Sequence, residues 1–580
     1  LPSAKYIAEL IHEGFDTFYE EFKRLTRESR QYFDAGAWST LHELSHQRID
    51  LYQEYVGRTL AGLEPWIGSD PQQPEVWKAA HIHYAEITKH RVDQEVAETF
   101  FNAITRKIFR TVGVQPEIEF LENHFEEDSP ELPGLYRRFE LKHPLEDVAR
   151  RILEYPRPAL SWARLDEDAR YLAGRLSSYL AECDQQCDRV DIVRAFFFRV
   201  REGYILGRRR AGGKFYPFLI PVQVEARGAV VDGAIFSLEE TLQVFSSTRS
   251  YMFVDVHKPS DLVRFLGTLM PDQTLSELYV AIAHHRHGKT LIYRELVEHL
   301  ERSDDKFIVA PGIKGLVMTV FTMPSYRNVF KIIRDDFEKP EATREGILQS
   351  YRDVFRGRRV GRLADTQEFE HLAFDRNRFT DECLEELMSK ASSTVKCVGD
   401  KVVVSHVYIE EKMTPFNLFL QTATVEQGTA AFIDYGHAIK ELAANNIFAG
   451  DLLWKNFGVT RYGRLVLYDY DEIQPLLDCN FRRIPPPRSH EEEMAATPYF
   501  RVDDNDVFPE EWRPFVVPQQ PAWKEAFLSE HADLLTPEYW QRQQRQVLAG
   551  ELHIGLPYSP RHPELQLLAA RGAWIDLDQS

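Results

Sequence analysis

Cysteine is scarce, with five residues in 580 (Cys183, Cys187, Cys383, Cys397, Cys479), an odd number of which only the first pair is close in sequence. That excludes a disulfide-stapled secreted scaffold and fits a reducing compartment, the cytoplasm. Cys183 and Cys187 stand one helical turn apart, but no second Cys/His pair at zinc-finger spacing accompanies them, so they read as free thiols. Long apolar runs are missing too. The longest stretch free of Asp, Glu, Lys and Arg runs from Met413 to Val425, short of the roughly 18 residues that suggest a membrane span. Basic excess is absent: 70 Lys and Arg against 90 Asp and Glu give a net charge of −20. This argues against sequence-independent binding to nucleic acid or to an anionic membrane, both of which rest on basic surface. No repeat of fixed period is visible, and Leu1-Pro2-Ser3-Ala4-Lys5 leads straight into an amphipathic pattern, so no signal peptide is expected.

What is present is material for two to four domains, at about 150 residues each. The first third reads as helices: Ile7, Leu10, Ile11, Phe15, Phe18, Phe22 and Leu25 recur at three and four residues. Between about Ala195 and Val256 the texture turns to β-like runs, Ala195–Val200, Phe215–Val224 and Gly228–Val231, punctuated by Gly and Pro. Helices return from Asp272 to Leu300. A second change near Asp304 begins a series of strands (Phe307–Val309, Leu316–Phe321, Asn328–Ile333), a helix from about Glu341 to Phe355, a hairpin turned at Gly399-Asp400, and a helical stretch to about Asn446. The segment from Pro485-Pro486-Pro487 onward reads as loops plus helices.

Two motifs are discounted. His42-Glu43-Leu44-Ser45-His46 matches the H-E-x-x-H zinc pattern, but with 20 histidines in the chain a polar helix face explains it as well. Ala283-His284-His285-Arg286-His287-Gly288-Lys289-Thr290 fits a relaxed phosphate-binding loop. Four bulky residues fill the positions where such a loop must turn tightly, so a solvated basic loop between helices is the expectation.

Chemistry gathers further on. Phosphoryl transfer from ATP needs a cover for the phosphates, a Lys on the α/β-phosphates, an Asp at the acceptor oxygen, and Asn plus Asp for metal ions. The loop Ala310-Pro311-Gly312-Ile313-Lys314-Gly315-Leu316 lies between two strand-like runs, and Lys331 follows Gly315 by 16 residues on the third strand. Asp451-Leu452-Leu453-Trp454-Lys455-Asn456 has the D-x-x-x-x-N spacing of a kinase catalytic loop. Thirteen residues after Asn456 comes Asp469, with a hairpin turned at Tyr462-Gly463 between them, which returns Asp469 beside Asn456 as a second Mg2+ ligand. The bland alternative is a surface loop whose Asp451 caps a turn. Lys455 is placed to neutralise the moving phosphoryl group or to pair with a neighbouring acid. Asp471, two residues beyond Asp469, is either a solvated turn acid or a group that orients water for hydrolysis. The acid that pairs with Lys331 is left between Glu345 and Asp353.

The run Phe432 to Thr460, continuing Tyr468-Asp469-Tyr470-Asp471-Glu472-Ile473, closely resembles the bacterial isocitrate dehydrogenase kinase/phosphatases. Ala310–Leu316, Gly361–Phe369 and Glu410–Asn417 are similar to the same family. The resemblance implies an α+β fold: a protein-kinase-like bilobal C-terminal domain (304–580, N-lobe about 304–410, C-lobe about 411–580) behind a mostly helical regulatory domain (1–303). It implies an enzyme that phosphorylates a serine of isocitrate dehydrogenase, inactivating it, and removes that phosphate at the same site with ADP or ATP bound, so directing carbon into the glyoxylate bypass. ATP, magnesium and AMP as allosteric effector come with the family. On matching positions Ala310–Leu316 and Lys331 would bind ATP, Asp451 would be the catalytic acid, Asn456 and Asp469 would hold metal, and Asp365 looks like the designated active-site acid. A homodimer stays open. The rival class is a non-catalytic nucleotide-binding scaffold, against which the joint presence of Lys331, Asp451, Asn456 and Asp469 speaks, because binding alone needs no acceptor-facing Asp.

Overall fold

The computed structural model describes residues 4–562 apart from 68–72, 110–116, 122–131, 133, 142–143, 183–186, 200, 247–251, 313, 340–342, 358–360, 487–488, 490–499, 550–555 and 557. Cys183 and Ile313 therefore lie outside the described residues, as does the side chain of His42.

Four helices open the chain: α1 (Ala4–Asp34), α2 (Trp38–Ile67), α3 (Pro74–Thr88) and α4 (Gln94–Phe109). The three-and-four spacing puts Ile7, Ile11, Phe15, Phe18, Phe22 and Leu25 on one buried stripe of α1, packed against Trp77, Tyr84, Phe100 and Ile104. An antiparallel sheet follows in the order β1 (Tyr136–Glu140), β2 (Arg189–Arg199), β3 (Glu202–Ala211), β4 (Lys214–Glu225), β5 (Gly228–Val231). Helices α5 (Leu145–Leu153) and α6 (Leu165–Glu182) cover one face, over Ile205 and Ile220. On the other face α7 (Leu238–Val244), α8 (Pro259–Leu269) and α9 (Leu275–Ala281) pack over Tyr204, Leu206 and Leu219. Strand β3 has no clean alternation because it carries Arg208, Arg209 and Arg210. Arg208 is buried nonetheless, 3.2 Å from Asp191 and stacked over Phe215 at 3.9 Å, so the sheet absorbs a charge that the sequence reads as surface.

Helix α10 (His285–Arg302) corrects the expectation of a solvated basic loop at 283–290. His284 and His287 are buried, the first against Tyr19 Oη (3.3 Å) and the second against Thr99 Oγ1 (2.7 Å). Lys289 lies over the Phe369 ring, and burial pushes its pKa down to about 7.

Beyond α10 the strands β6 (Ile308–Val309), β7 (Met318–Thr322), β8 (Asn328–Ile333), β9 (Thr366–Asp375), β10 (Val395–Val398) and β11 (Lys401–Glu411) form one antiparallel sheet, ordered β10-β11-β8-β7-β6 with β9 also on β11. Helices α11 (Arg344–Gly357) and α12 (Asp381–Lys390) accompany it. The short strand β12 (Thr414–Pro415) and helix α13 (Phe416–Thr422) lead to α14 (Val425–Ala444), which starts on a Thr424/Gln427 capping box. The α14 face Phe432, Tyr435, Ile439 and Leu442 shares a core with Phe527 and Trp540 from the helices Pro521–His531 and Pro537–Leu548. Short strands β13 (Ile447–Ala449), β14 (Phe457–Val459), β15 (Leu465–Leu467) and β16 (Ile473–Pro475) carry the loops described next. The class is α+β with a helix-rich N-terminal part, as expected. Among the described residues no helix is long and apolar enough to cross a membrane.

Candidate active site

The floor of the site is built by a hairpin. β14 pairs with β15 in the register Phe457↔Leu467, and the turn closes at Gly463, whose φ of +79° suits a residue without Cβ. Tyr468 N then donates to Asn456 O at 3.1 Å, so Asp469 returns beside Asn456 as the spacing predicts. Upstream, Tyr435 Oη donates to Leu452 O at 2.5 Å and pins the 451–456 loop to α14. Asp451 Oδ1 accepts from Leu453 N (2.9 Å), and its other oxygen stands 4.0 Å from Lys455 Nζ. Asn456 Nδ2 donates to Asp451 O (3.3 Å), which leaves the amide oxygen available as a metal ligand.

The segment before β9 is locked to this floor by Arg362. Its buried guanidinium takes Asp434 with both oxygens at 2.8 Å and Glu441 at 2.8 and 2.9 Å, and donates to Leu465 O at 3.0 Å. Asp434 in turn accepts from Leu465 N (2.7 Å), and Tyr470 Oη donates to Ala364 O (2.6 Å). One buried cation thus ties α14, β15 and the segment leading to Asp365.

Lys331 on β8 is buried and makes two contacts: Nζ is 2.6 Å from Glu410 Oε2 and donates to Tyr468 O at 2.8 Å. Glu410 sits on the neighbouring strand β11, where Tyr408 pairs with Lys331, and it also accepts from Thr366 Oγ1 at 2.7 Å. Among the described residues the partner acid is therefore Glu410 and not Glu345, which is exposed on α11; the side chain of Asp353 lies outside the described residues. A sheet neighbour supplies it in place of a helix. Glu410 was missed because a pair 79 residues apart leaves no periodic trace; the only signal was an acid closing the apolar run Tyr408-Ile409. Changing Glu410 to Gln keeps the volume and the Thr366 bond but removes the charge that holds Lys331. A charge-assisted bond of about 1.5–3 kcal/mol translates to a roughly 10- to 100-fold fall in kcat/KM for nucleotide, with a lower thermal midpoint as well because the Lys331 ammonium stays buried without its counter-charge.

These groups line a cleft of about 310 Å³. Ala310, Pro311, Gly312, Lys314 and Gly315 form its rim between β6 and β7; Leu316, half-exposed, is not on the wall. Gly312 has φ +130°, a backbone open to glycine alone, and lies against Pro415. Lys331, Glu410, Lys455, Asn456, Asp469 and Asp471 face the same space. Asp469 is held above the ordinary carboxylate range by burial, opposed by Lys331 and Lys455. Asp471 is pushed up to about 7, first by burial and then by the Asp469 carboxylate; its Oδ1 is shut from solvent with no donor against it. The Asp469 carboxylate beside the Asn456 amide oxygen, with the unpartnered Asp471 Oδ1 next to them, is an all-oxygen donor set that fits hard divalent cations such as Mg2+.

Asp365 is elsewhere. It lines a second cavity of about 330 Å³ that shares only the Glu410, Glu411 and Met413 wall with the cleft and is closed on the other side by Glu277 and Glu295. Burial pushes Glu295 and Glu411 up to about 7 there. Gln367 Nε2 reaches both Asp365 oxygens at 3.4 Å.

Residues 305–560 match the family model described as the isocitrate dehydrogenase kinase/phosphatase (AceK) kinase domain, and residues 8–304 match that of its regulatory domain. The chain belongs to the isocitrate dehydrogenase kinase/phosphatase family. The isocitrate dehydrogenase kinase/phosphatase of Anaeromyxobacter sp. (strain Fw109-5) is 39% identical over 558 residues, which is 95% of this chain and 96% of that one. The protein of the same name from Cupriavidus pinatubonensis is 38% identical over 586 residues, covering 98% and 96%. Relatives of that name, aligned nearly end to end, support a bifunctional kinase and phosphatase role.

Proposed function

We propose that this cleft carries out both reactions on isocitrate dehydrogenase: transfer of the γ-phosphoryl group of ATP to a serine, which inactivates that enzyme, and hydrolysis of the phosphoserine. The observation that carries the reading is the convergence of the Lys331–Glu410 pair, Lys455, Asn456, Asp469 and the extra acid Asp471 on one space; Asp451 is not on its wall but stands 4.0 Å from the Lys455 Nζ that is.

In transfer, the backbone N–H groups of Gly312, Lys314 and Gly315 cover the phosphates, since Pro311 has none and Ala310 N–H is spent on Val320 O, and Lys331, oriented by Glu410, binds the α/β-phosphates. Asp451 takes the proton of the serine hydroxyl as its oxygen bonds to phosphorus and the bond to the ADP oxygen breaks. Lys455 offsets charge on the phosphoryl group in flight. Asn456 and Asp469 would hold Mg2+, which supplies neutralisation of the phosphate oxygens when bound. In hydrolysis, with ADP or ATP in place, Asp471 takes a proton from water attacking the phosphoserine phosphorus, and Asp451 returns one to the leaving serine oxygen. Asp365 acts as a positioning residue from the second cavity, through the Thr366–Glu410 contact that follows it in sequence.

The wider reading has 1–303 as a regulatory domain answering AMP, 304–580 as the catalytic domain, and a cytoplasmic enzyme that sets flux between the tricarboxylic acid cycle and the glyoxylate bypass. The test is label from γ-labelled ATP on a bacterial isocitrate dehydrogenase, then its release on addition of ADP. Asp471→Ala is expected to lower release at least tenfold more than transfer. Equal loss of both rates would remove the separate role given to Asp471.

A further inference from the structure

We propose that His437, Glu530 and His531, none of which lines the cleft, form a binding site for a divalent transition metal of the zinc class. One ligand atom from each of the three lies within 4.8 Å of the others, the only such His/Cys/Asp/Glu group among the described residues. The site joins α14, which carries His437, to the C-terminal end of the helix Pro521–His531.

The deepest member is prepared for coordination. His531 is 1% exposed, and its ring packs directly on Gly436, where any Cβ would fall within 2.5 Å of it. Its Nε2 is 2.9 Å from Ile433 O, a carbonyl that can only accept, so the proton sits on Nε2 and the lone pair on Nδ1. Nδ1 is buried with no partner. A ring fixed by one N–H to a backbone carbonyl, with the other nitrogen bare, is the arrangement metal-bound histidines show.

The other two members are exposed and adjustable. His437 Nε2 stands 3.7 Å from Glu530 Oε2, and the two imidazole rings meet edge-on at 4.9 Å. Ligand atoms about 2.0–2.1 Å from zinc in a tetrahedron lie roughly 3.3 Å apart. Closing from 4.8 Å needs only side-chain rotation of His437 and Glu530. The negative end of the helix macrodipole favours a cation here; the nearest fixed cation, Lys440, is already engaged by Asp533 (2.8 Å) and by Glu530 O (3.0 Å). Two imidazoles and a carboxylate suit zinc over magnesium or calcium, which prefer all-oxygen sets. Bound metal would clamp the helix Pro521–His531 to α14, the helix that positions the 451–456 loop.

The experiment uses the full chain, freed of metal with a chelator and titrated with Zn2+ alone by calorimetry, with bound zinc counted by mass spectrometry and thermal midpoint recorded. The expected result is one equivalent at micromolar affinity or better that His437→Ala and Glu530→Gln each weaken by at least about tenfold, with a zinc-induced rise in thermal midpoint that both variants lose. Both residues are exposed, so the variants fold without metal as the parent does. Zinc binding that persists unchanged in His437→Ala, or none tighter than millimolar in the parent, overturns the proposal and leaves His437 and Glu530 as a surface ion pair.

Discussion

Asp451→Ala should lower phosphoryl transfer by about 10³-fold, within the 10²- to 10⁴-fold range of a lost general base, while the protein stays folded. The carboxylate is partly exposed, and its structural duty is one bond from Leu453 N at 2.9 Å, worth on the order of 1 kcal/mol. The loop keeps its other anchors, Tyr435 on Leu452 O and Tyr468 N on Asn456 O. Asp451→Asn separates the two duties, because the amide oxygen still accepts from Leu453 but takes no proton. Its transfer rate should match that of the alanine variant while its thermal midpoint matches the parent. An Asn variant with near-parental kcat would mean that the carboxylate serves the turn and not the chemistry.

Arg362→Ala should be the most destabilising single change in the C-terminal half, at about 3–5 kcal/mol, the range for removing one partner of a buried ion pair. It removes the buried cation that Asp434 and Glu441 share, leaving Asp434 on Leu465 N and Glu441 on Arg464 (3.3 Å), and it removes the donor to Leu465 O. For a unit of this size that is a fall of roughly 10 °C in thermal midpoint. The effect has a signed pH dependence. Burial alone would raise the pKa of Asp434, but Arg362 outweighs it and the carboxyl is held below its ordinary value. A depressed folded pKa stabilises above the unfolded value, about 3.9, and that stabilisation is lost as pH falls through the folded one. The gap between parent and variant, measured by urea unfolding, should be full at pH 7 and narrow below about pH 4. A gap that widens in acid would show that the ion pair is not what is lost.

Much of the catalytic floor was legible in the sequence because its signals are local. The 451–456 spacing and Asp469 directly flank the one hairpin turned at Tyr462-Gly463, where register follows from turn position. What was missed is long-range or irregular. Glu410 reaches Lys331 only through strand pairing across the sheet. Strand β9 was not anticipated because its alternation breaks at His371, which has φ +55°, so that Phe369 and Leu372 both face the core three positions apart. Residues 283–290 looked solvated because they are basic, yet their charges and rings are spent inside, on Tyr19, Thr99 and Phe369. Arg362 stood within a recognised segment, but no spacing announces that it holds Asp434 and Glu441, 72 and 79 residues away.

The central claim is that one cleft serves both transfer and hydrolysis, and Asp469→Asn tests it most directly. The substitution is isosteric, removes a charge that burial already disfavours, and spares Lys331 and Glu410. Both rates should be measured on one preparation: label gained by isocitrate dehydrogenase from γ-labelled ATP, and label released from the phosphorylated enzyme with ADP. The expected result is that both fall together by at least about 100-fold with the thermal midpoint unchanged. Hydrolysis continuing at the parental rate while transfer is lost would place the phosphatase reaction at another site and contradict the account.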